Sequence, residues 1–196
     1  TGLGQYLDIS IEECATPSSD YAIPRFTYEK KMLQREGSGY GSLMPYDIYP
    51  CKHGYVRLIT IAPHQWETLV EWMGNPEFLT EPVWKNQMNR CQNRDLIDPY
   101  IEDFTLKHTK RELMEEGQRR HLPVTVVSNP AEFLEDEQTK ARGFFTEVEH
   151  SELGKHPYAG SPFKLTETPC QVRRPAPLLG QHNGEIFCGE LGYPEE

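Results

Sequence analysis

A strand–helix–strand pattern in residues 122–148 constrains the fold of this chain more than any other feature of its sequence. Residues 122–127 are apolar and mostly β-branched, which is typical of a short buried strand. Asn129 and Pro130 follow as a helix N-cap and a first-turn proline, and the polar helix that they open is predicted to continue to a C-cap at Gly143. An aromatic and β-branched run then predicts a second strand. This order of elements predicts an α/β domain.

The residues upstream of this pattern alternate between strand and helix signals. Residues 55–61 are aromatic and β-branched, which predicts a strand. Apolar residues at helical spacing predict helices over 64–73 and 93–104, and a capping-box sequence opens a third helix over 109–120. We therefore predict a small α/β domain over residues 51–148. Its expected core residues are Tyr55, Val56, Leu58, Ile59, Ile61, Trp66, Leu69, Val70, Leu96, Ile101, Leu113, Val124 and Val126.

Residues 1–50 form a separate segment with weaker signals. A short strand is expected at residues 6–10, and Ser10 has the sequence context of a helix N-cap. A glycine-rich stretch follows over residues 35–43, and two prolines then predict an extended linker over 43–50. The segment is interpreted as a connection into the small domain.

Composition bounds the remainder of the chain. The hydrophobic share is 37%, and 16 prolines and 15 glycines are present among 196 residues, so the core is expected to be modest. Proline recurs through residues 149–196, which predicts an extended C-terminal arm that ends in one helix near residues 180–191.

Charge and cysteine usage exclude several function classes. The net charge is −10 and the basic residues are scattered, which excludes a basic face for nucleic acid. No apolar run approaches the ~20 residues that a membrane helix needs. The five cysteines are odd in number and form no CxxC pair, which favours reduced thiols in a cytoplasmic protein. The seven histidines stand singly, so no metal site is predicted.

The glycine-rich stretch is the one segment with an open functional interpretation. Gly37, Gly39 and Gly41 do not fit the GxGxxG dinucleotide fingerprint, and no GxSxG nucleophile elbow occurs in the chain. One interpretation is a flexible linker between domains. The other is a mobile lid, or a cradle of backbone amides for an anion.

Several segments, in order from residue 1 to residue 193, resemble the motifs of the class III CoA-transferases, the family of formyl-CoA transferase and carnitine CoA-transferase. They include TGLGQYLDIS against TGxGQxVDVSM, HGYV against DGYV, LPV against G(V/I)P, and QTKARG, which follows Glu137, against an acid-Q-x-x-ARG segment. The last two are APLLGQH and LGY against APxLGEHT and LGY. His53 replaces the usual Asp and Gln181 the usual Glu, and Arg94 is a weaker match at the start of a helix.

The resemblance implies both a fold and a chemistry. The fold is an interlocked homodimer in which a small α/β domain is flanked by segments of a doubly wound, Rossmann-like large domain. On this view residues 1–50 and 149–196 belong to the large domain. The expected partner of this chain is either a second subunit of the interlocked homodimer or the missing N-terminal half of the large domain. The chemistry transfers CoA from an acyl-CoA to a carboxylic acid through an aspartyl anhydride and thioester. The nucleophilic Asp is expected upstream of Thr1, so no catalytic residue is assigned within the chain.

The same resemblance implies the ligand contacts. Coenzyme A or acyl-CoA, as substrate, is expected to contact Ile11 and the glycines Gly37, Gly39 and Gly41, and the glycine loop is expected to close over the reacting thioester. Two other functions stay open: an acyl-CoA racemase or epimerase of the same fold, and a non-catalytic assembly subunit. Racemases of this fold tend to place an acid just before the aromatic residue of the first small-domain helix, whereas residues 62–65, which precede Trp66, contain no acid; this weighs against the racemase.

Overall fold

The computed structural model describes residues 2–19, 22–34 and 37–194. The chain divides into two compact units, residues 1–127 and residues 128–196. The helices of the first unit are α1 (Ile11–Ala15), α2 (Ala22–Glu29), α3 (Pro63–Trp72), α4 (Glu77–Thr80), α5 (Gln87–Gln92), α6 (Arg94–Thr105) and α7 (Lys110–Arg119), with 3-10 turns at Thr16–Ser19 and Pro82–Lys85. Its strands are β1 (Tyr46–Cys51), β2 (Gly54–Ile59) and β3 (Val124–Val126).

The three strands of the first unit form one antiparallel sheet in the order β1-β2-β3. The register pairs Tyr46 with Ile59 and Cys51 with Gly54, and His53 takes a φ of 68° in the tight turn between β1 and β2. The linker predicted over residues 43–50 is therefore wrong, because these residues contain β1. Pro50 did not prevent the strand from forming, since β1 is an edge strand and a missing backbone N–H is tolerated there.

The core of the first unit combines one face of the sheet with the inner faces of α3, α6 and α7. Leu58, Leu69, Ile97 and Leu113 are fully buried within it. Of the predicted core residues, those confirmed as buried are Val56, Leu58, Trp66, Leu69, Val70, Ile101, Leu113 and Val124. Ile59 and Val126 are half-buried.

Three predicted core residues are exposed, so that part of the prediction is wrong. Tyr55 follows the alternation of β2 and points away from the face that holds Val56 and Leu58. Ile61 lies beyond the end of β2, and Leu96 lies on the outer side of α6, next to the buried Ile97.

Residues 2–10 have neither helix nor strand, so the strand predicted at residues 6–10 is wrong. Leu7 and Ile9 alternate as strand residues do, but both side chains are exposed and no neighbouring strand pairs with their backbone among the described residues. The predicted helix N-cap is confirmed, because the Ser10 hydroxyl accepts a hydrogen bond from the Glu13 amide at the start of α1.

The second unit begins with the helical part of the strand–helix–strand pattern. Its elements are α8 (Pro130–Glu135), α9 (Glu137–Ala141), β4 (Phe145–His150), β5 (Gly154–Ala159) and a π-helix (Gly184–Glu190), and β4 and β5 form an antiparallel hairpin. The continuous helix predicted to run to Gly143 is interrupted at Asp136, whose carboxylate accepts the Thr139 amide and caps α9. Gly143 has a φ of 58°, which confirms its place after the helix end.

Candidate functional site

The glycine loop, defined as residues 37–43, leads directly into β1, and its glycines play different structural roles. Gly37 is exposed and has a φ of 82°, a left-handed conformation that favours glycine. Gly39 has no positive φ but lies directly against a neighbouring ion pair. A Cβ at position 39 would fall 2.8 Å from Asp47 Oδ2 and 2.9 Å from Arg94 Cζ. A side chain at position 39 would therefore have to displace part of this ion pair, which glycine leaves in place.

The Asp47 carboxylate on β1 organises the floor beneath this loop. Its Oδ1 atom accepts a hydrogen bond from the Ser38 hydroxyl and one of 2.7 Å from the Ile48 amide. Its Oδ2 atom accepts a bond of 2.9 Å from Arg94 Nη2. Because the side chains of Asp47 and Arg94 are only 19% and 28% exposed, this ion pair is partly shielded from water.

Arg94 is the first residue of α6 and connects Asp47 to a second acid one turn along the helix. Arg94 Nε lies 3.4 Å from Asp98 Oδ2, close enough for an ion pair but without hydrogen-bond geometry. Asp98 Oδ1 accepts a hydrogen bond of 2.7 Å from the hydroxyl of Tyr49, which is buried on β1. The four side chains form one connected polar network between the sheet and α6.

Burial shifts the pKa values of two groups in this network, Asp98 and Tyr49. It raises the pKa of the Asp98 carboxyl, while the hydrogen bond from Tyr49 and the charge of Arg94 oppose that effect. Burial and the neighbouring Asp98 raise the pKa of Tyr49 well above its usual range. Tyr49 is thus fixed as a neutral hydrogen-bond donor.

Asp47 and Asp98 are poorly suited to act as nucleophiles. A nucleophilic carboxylate must present an oxygen lone pair to the substrate, whereas both oxygens of each acid lie against a hydroxyl, an amide or the Arg94 guanidinium. The network therefore supports the glycine loop and does not supply a nucleophile.

The structure brings together only part of the site expected from sequence. Gly37, Gly39 and Gly41 share the loop, and Gly39 lies against the Asp47–Arg94 ion pair, whereas a Cβ at Gly37 would meet nothing within 4 Å. Ile11 lies in α1 with its side chain 85% exposed, and the hydrogen bonds and ring contacts described for residues 37–43 do not include it. The ligand-binding roles of these four residues stay predictions.

Sequence reasoning missed most of the supporting side chains. Arg94 was noted only as a weak motif match, and Asp47, Ser38, Asp98 and Tyr49 were not singled out. Two signals were available: Asp98 follows Arg94 by four residues on a predicted helix, and Asp47 and Tyr49 share one face of any strand that contains both. The second signal was hidden because residues 43–50 were interpreted as a linker.

Surface clefts away from the glycine loop are alternative candidates for a ligand site. One, of about 170 Å³, lies over Trp66, Val70 and Leu79 in the first unit. The other, of about 380 Å³, lies beside the β4–β5 hairpin in the second unit. The first is smaller than the ~300–1,000 Å³ usual for ligand pockets, and neither contains a buried charged side chain.

The described residues carry neither a metal cluster nor a membrane-spanning helix. Within residues 2–19, 22–34 and 37–194, no group of three or more His, Cys, Asp or Glu side chains is arranged to hold a metal ion. Of the helices in the described part of the chain, none has the length and apolar character needed to cross a bilayer.

Comparison with known proteins identifies one family. The family model described as CoA-transferase family III matches residues 1–183. A formyl-CoA:oxalate CoA-transferase of Bradyrhizobium diazoefficiens is 33% identical over 169 residues, covering 83% of this chain and 39% of the relative. One from Streptomyces coelicolor is 31% identical over 168 residues, with coverages of 84% and 40%. The chain thus spans about two fifths of the length of these curated relatives.

Solved structures show the same fold. A CAIB/BAIF family protein from Brucella suis superposes with a TM-score of 0.79 at 20% identity, covering 96% of this chain and 48% of that protein. Rv3272 from M. tuberculosis gives a TM-score of 0.73 at 15% identity, with coverages of 91% and 46%. These likenesses confirm the α/β fold class expected from the sequence.

Proposed function

Since this chain belongs to CoA-transferase family III, we propose that it is part of an enzyme that moves coenzyme A from an acyl-CoA donor to a carboxylic acid. The observation that carries the proposal is the match over residues 1–183, together with curated relatives that are CoA-transferases. The relatives' names make formyl-CoA and oxalate the first donor and acceptor to test. A cytoplasmic location stays a prediction from the scattered cysteines, none of which forms a disulfide.

The proposed reaction is an exchange at carbonyl carbon. An enzyme carboxylate attacks the donor thioester and expels the CoA thiolate, which leaves a mixed anhydride. The thiolate then attacks the enzyme's own carbonyl of that anhydride, releasing the donor acid and forming an enzyme thioester. The acceptor carboxylate displaces CoA again to form a second anhydride. The CoA thiolate then attacks the acceptor-derived carbonyl of the second anhydride, which gives the product acyl-CoA and restores the enzyme carboxylate.

The nucleophile of this reaction is proposed to lie outside these 196 residues. Two observations support this: the chain covers 39% to 40% of its relatives' length, and both carboxylates near the glycine loop are already paired. The chain's own contribution is the loop, whose backbone is proposed to cover the reacting thioester, with Gly37, Gly39, Gly41 and Ile11 in contact with CoA. Glycines suit that role because the absence of a side chain allows a ligand to approach the backbone closely.

The first 34 residues are proposed to pack against a further part of the enzyme. In the described ranges 2–19 and 22–34, large apolar side chains are exposed along the whole segment, whereas soluble proteins rarely leave such an extended apolar surface uncovered. Those exposed by more than two thirds are Leu3, Tyr6, Leu7, Ile9, Ile11, Tyr28 and Met32. The partner is proposed to be the remainder of the large domain, within one polypeptide or in an interlocked second subunit.

A CoA-exchange assay tests the proposal. The 196-residue chain alone, and the same chain within a polypeptide of its relatives' full length, are incubated with formyl-CoA and ¹³C-labelled oxalate. We expect mass spectrometry to detect labelled oxalyl-CoA only with the longer polypeptide. If neither that acceptor nor a panel of other carboxylic acids receives CoA, the transferase proposal is wrong. Deuterium uptake at the α-carbon of a 2-methylacyl-CoA without transfer would instead indicate the racemase.

A further inference from the structure

A chain of polar contacts runs from the core of the first unit out to the glycine loop. Tyr49 is 2% exposed and donates to Asp98, and Asp98 faces Arg94 Nε. The other end of the Arg94 guanidinium binds Asp47, which in turn accepts the Ser38 hydroxyl. Each contact involves a charged group, and such hydrogen bonds are stronger than those between neutral partners. The loop is thereby connected to side chains that the core holds in place.

The loop backbone is shaped to fit this connection. Gly39 packs so closely on the Asp47–Arg94 ion pair that a Cβ at this position would displace the Asp47 carboxylate or the Arg94 guanidinium. Directly after Gly39, the Tyr40 amide donates to the Tyr46 carbonyl over 3.2 Å, and the Leu43 amide donates to the Tyr40 carbonyl over 3.1 Å. The rings of Tyr40 and Tyr46 stand 5.2 Å apart. One conformation of the loop therefore satisfies the ion pair, the Ser38 hydroxyl and both amides together.

We propose that Asp47 and Arg94 are positioning residues that tether the glycine loop in a single resting conformation. Ser38 attaches the loop to the ion pair, and Gly39 allows the backbone to lie against it. The sequence suggested a flexible linker or a mobile lid. A tethered loop would instead be held in place at Ser38 and Gly39. The tether is independent of the proposed function, because it concerns how this chain holds the loop and not which ligand the loop covers.

Hydrogen exchange at the amides of Tyr40 and Leu43 tests the tether directly, because both amides are hydrogen-bonded in the docked conformation described above. We expect Ser38→Ala and Asp47→Asn each to speed exchange at these two amides by roughly tenfold, with exchange at the Ile59 amide unchanged. The Ile59 amide bonds the Pro123 carbonyl and reports on the sheet. Glu67→Gln is the matched control, since it removes an exposed ion pair with Lys85 elsewhere in the same unit.

Two results would overturn the proposal. One is unchanged exchange at Tyr40 and Leu43 in both Ser38→Ala and Asp47→Asn. The other is an equal acceleration at Ile59, which would mean that the substitutions loosen the whole sheet. Ser38→Ala keeps the test valid if Asp47→Asn folds poorly, because it removes only an exposed hydroxyl. As no substrate enters the measurement, its failure is distinguishable from failure of the CoA-transfer proposal.

Discussion

At the scale of single residues, the most unusual group is Arg90, a cation that is 1% exposed and is held by carbonyl and amide oxygens. Its Nε atom donates to the Met44 carbonyl over 2.8 Å, and Nη1 donates to the carbonyls of Trp84 and Lys85 over 2.5 and 3.2 Å. Its Cζ atom lies 4.7 Å from the centre of the Trp66 ring. Burial lowers the pKa of Arg90 to about 10. The guanidinium thus joins Met44, two residues before β1, to the 3-10 turn that precedes α5.

We expect Arg90→Met to lower the free energy of unfolding by about 2–4 kcal/mol, because buried carbonyls at Met44 and Trp84 lose their donor at ~1–3 kcal/mol each. Arg111→Met is the control. Arg111 forms a surface pair of 2.6 Å with Glu115, and loss of such a pair costs less than about 1 kcal/mol. Urea denaturation of both variants checks the difference. Equal small losses would show that water satisfies the carbonyls once Arg90 is removed.

Glu112 provides a pH-dependent prediction at the same scale. Hydrogen bonds from the Thr109 backbone and hydroxyl lower the pKa of the Glu112 carboxyl below its ordinary value of 4.5. The stability gained from this cap is therefore complete above about pH 4.5 and is lost as the pH falls through the lowered pKa.

The wild-type chain should accordingly melt at a higher temperature than Glu112→Gln at pH 7, and the gap should close on acidification below pH 4.5. Glu115→Gln is the control, because Glu115 lies on the same helix outside the cap. A gap that widens as the pH falls would contradict the assignment. Calorimetry across this range of pH measures it.

At the scale of elements, the contact between α7 and β3 depends on Gly117. A Cβ at position 117 would lie 2.5 Å from Val124 Cγ2 and 2.9 Å from Val124 Cβ. Alanine usually stabilises a helix interior by ~1 kcal/mol relative to glycine. Here overpacking should dominate, and we expect Gly117→Ala to cost about 1–3 kcal/mol in unfolding free energy.

Combining Gly117→Ala with Val124→Ala should recover part of that loss, because the smaller side chain makes room for the added methyl group. A double-mutant cycle by urea denaturation gives this coupling energy. A stabilised Gly117→Ala variant would show that helix propensity prevails and that α7 and β3 are less tightly packed than described.

The orientation of α3 and α6 gives a second prediction for elements. Leu69 on α3 is fully buried, whereas Leu96 on α6 is 47% exposed. Leu69→Ala should cost about 2–5 kcal/mol and Leu96→Ala under about 1 kcal/mol. Similar losses in the two variants would contradict the assigned face of α6.

Much of the element order could be predicted from sequence because the local signals agree with the tertiary contacts. The β-branched residues of β2, the capping box of α7 and the Asn129 cap of α8 all occur where expected. The break at Asp136 was missed because a single acid side chain both interrupts one helix and caps the next.

The candidate site was harder to predict than the elements. The glycines of the loop were visible in the sequence, but their support depends on Asp47 and Arg94, which are 47 residues apart. Only the docking of α6 beside β1 brings these two charges together, and the prolines around β1 concealed that strand. Periodicity in sequence reports on faces of elements, whereas this ion pair depends on how two elements pack.

Across the whole molecule, the chain belongs to CoA-transferase family III and spans about two fifths of the length of its curated relatives. Family membership was predictable because individually weak motif matches occur in the right order along the chain, and the family model confirms it over residues 1–183. The substrates are harder to predict from this sequence, because the chain covers only about two fifths of its relatives' length. We propose that this chain supplies a tethered loop, whereas a segment outside it supplies the nucleophile.

The position of the nucleophile can be measured by locating the carboxyl group that forms the covalent enzyme thioester. The longer polypeptide is mixed with an acyl-CoA, the enzyme thioester is reduced with borohydride, and the modified carboxyl is located by peptide mass spectrometry. We predict one modified Asp that lies outside these 196 residues, and no modification of the 196-residue chain alone. Modification of Asp47, Asp98 or any other carboxylate within this chain would contradict it.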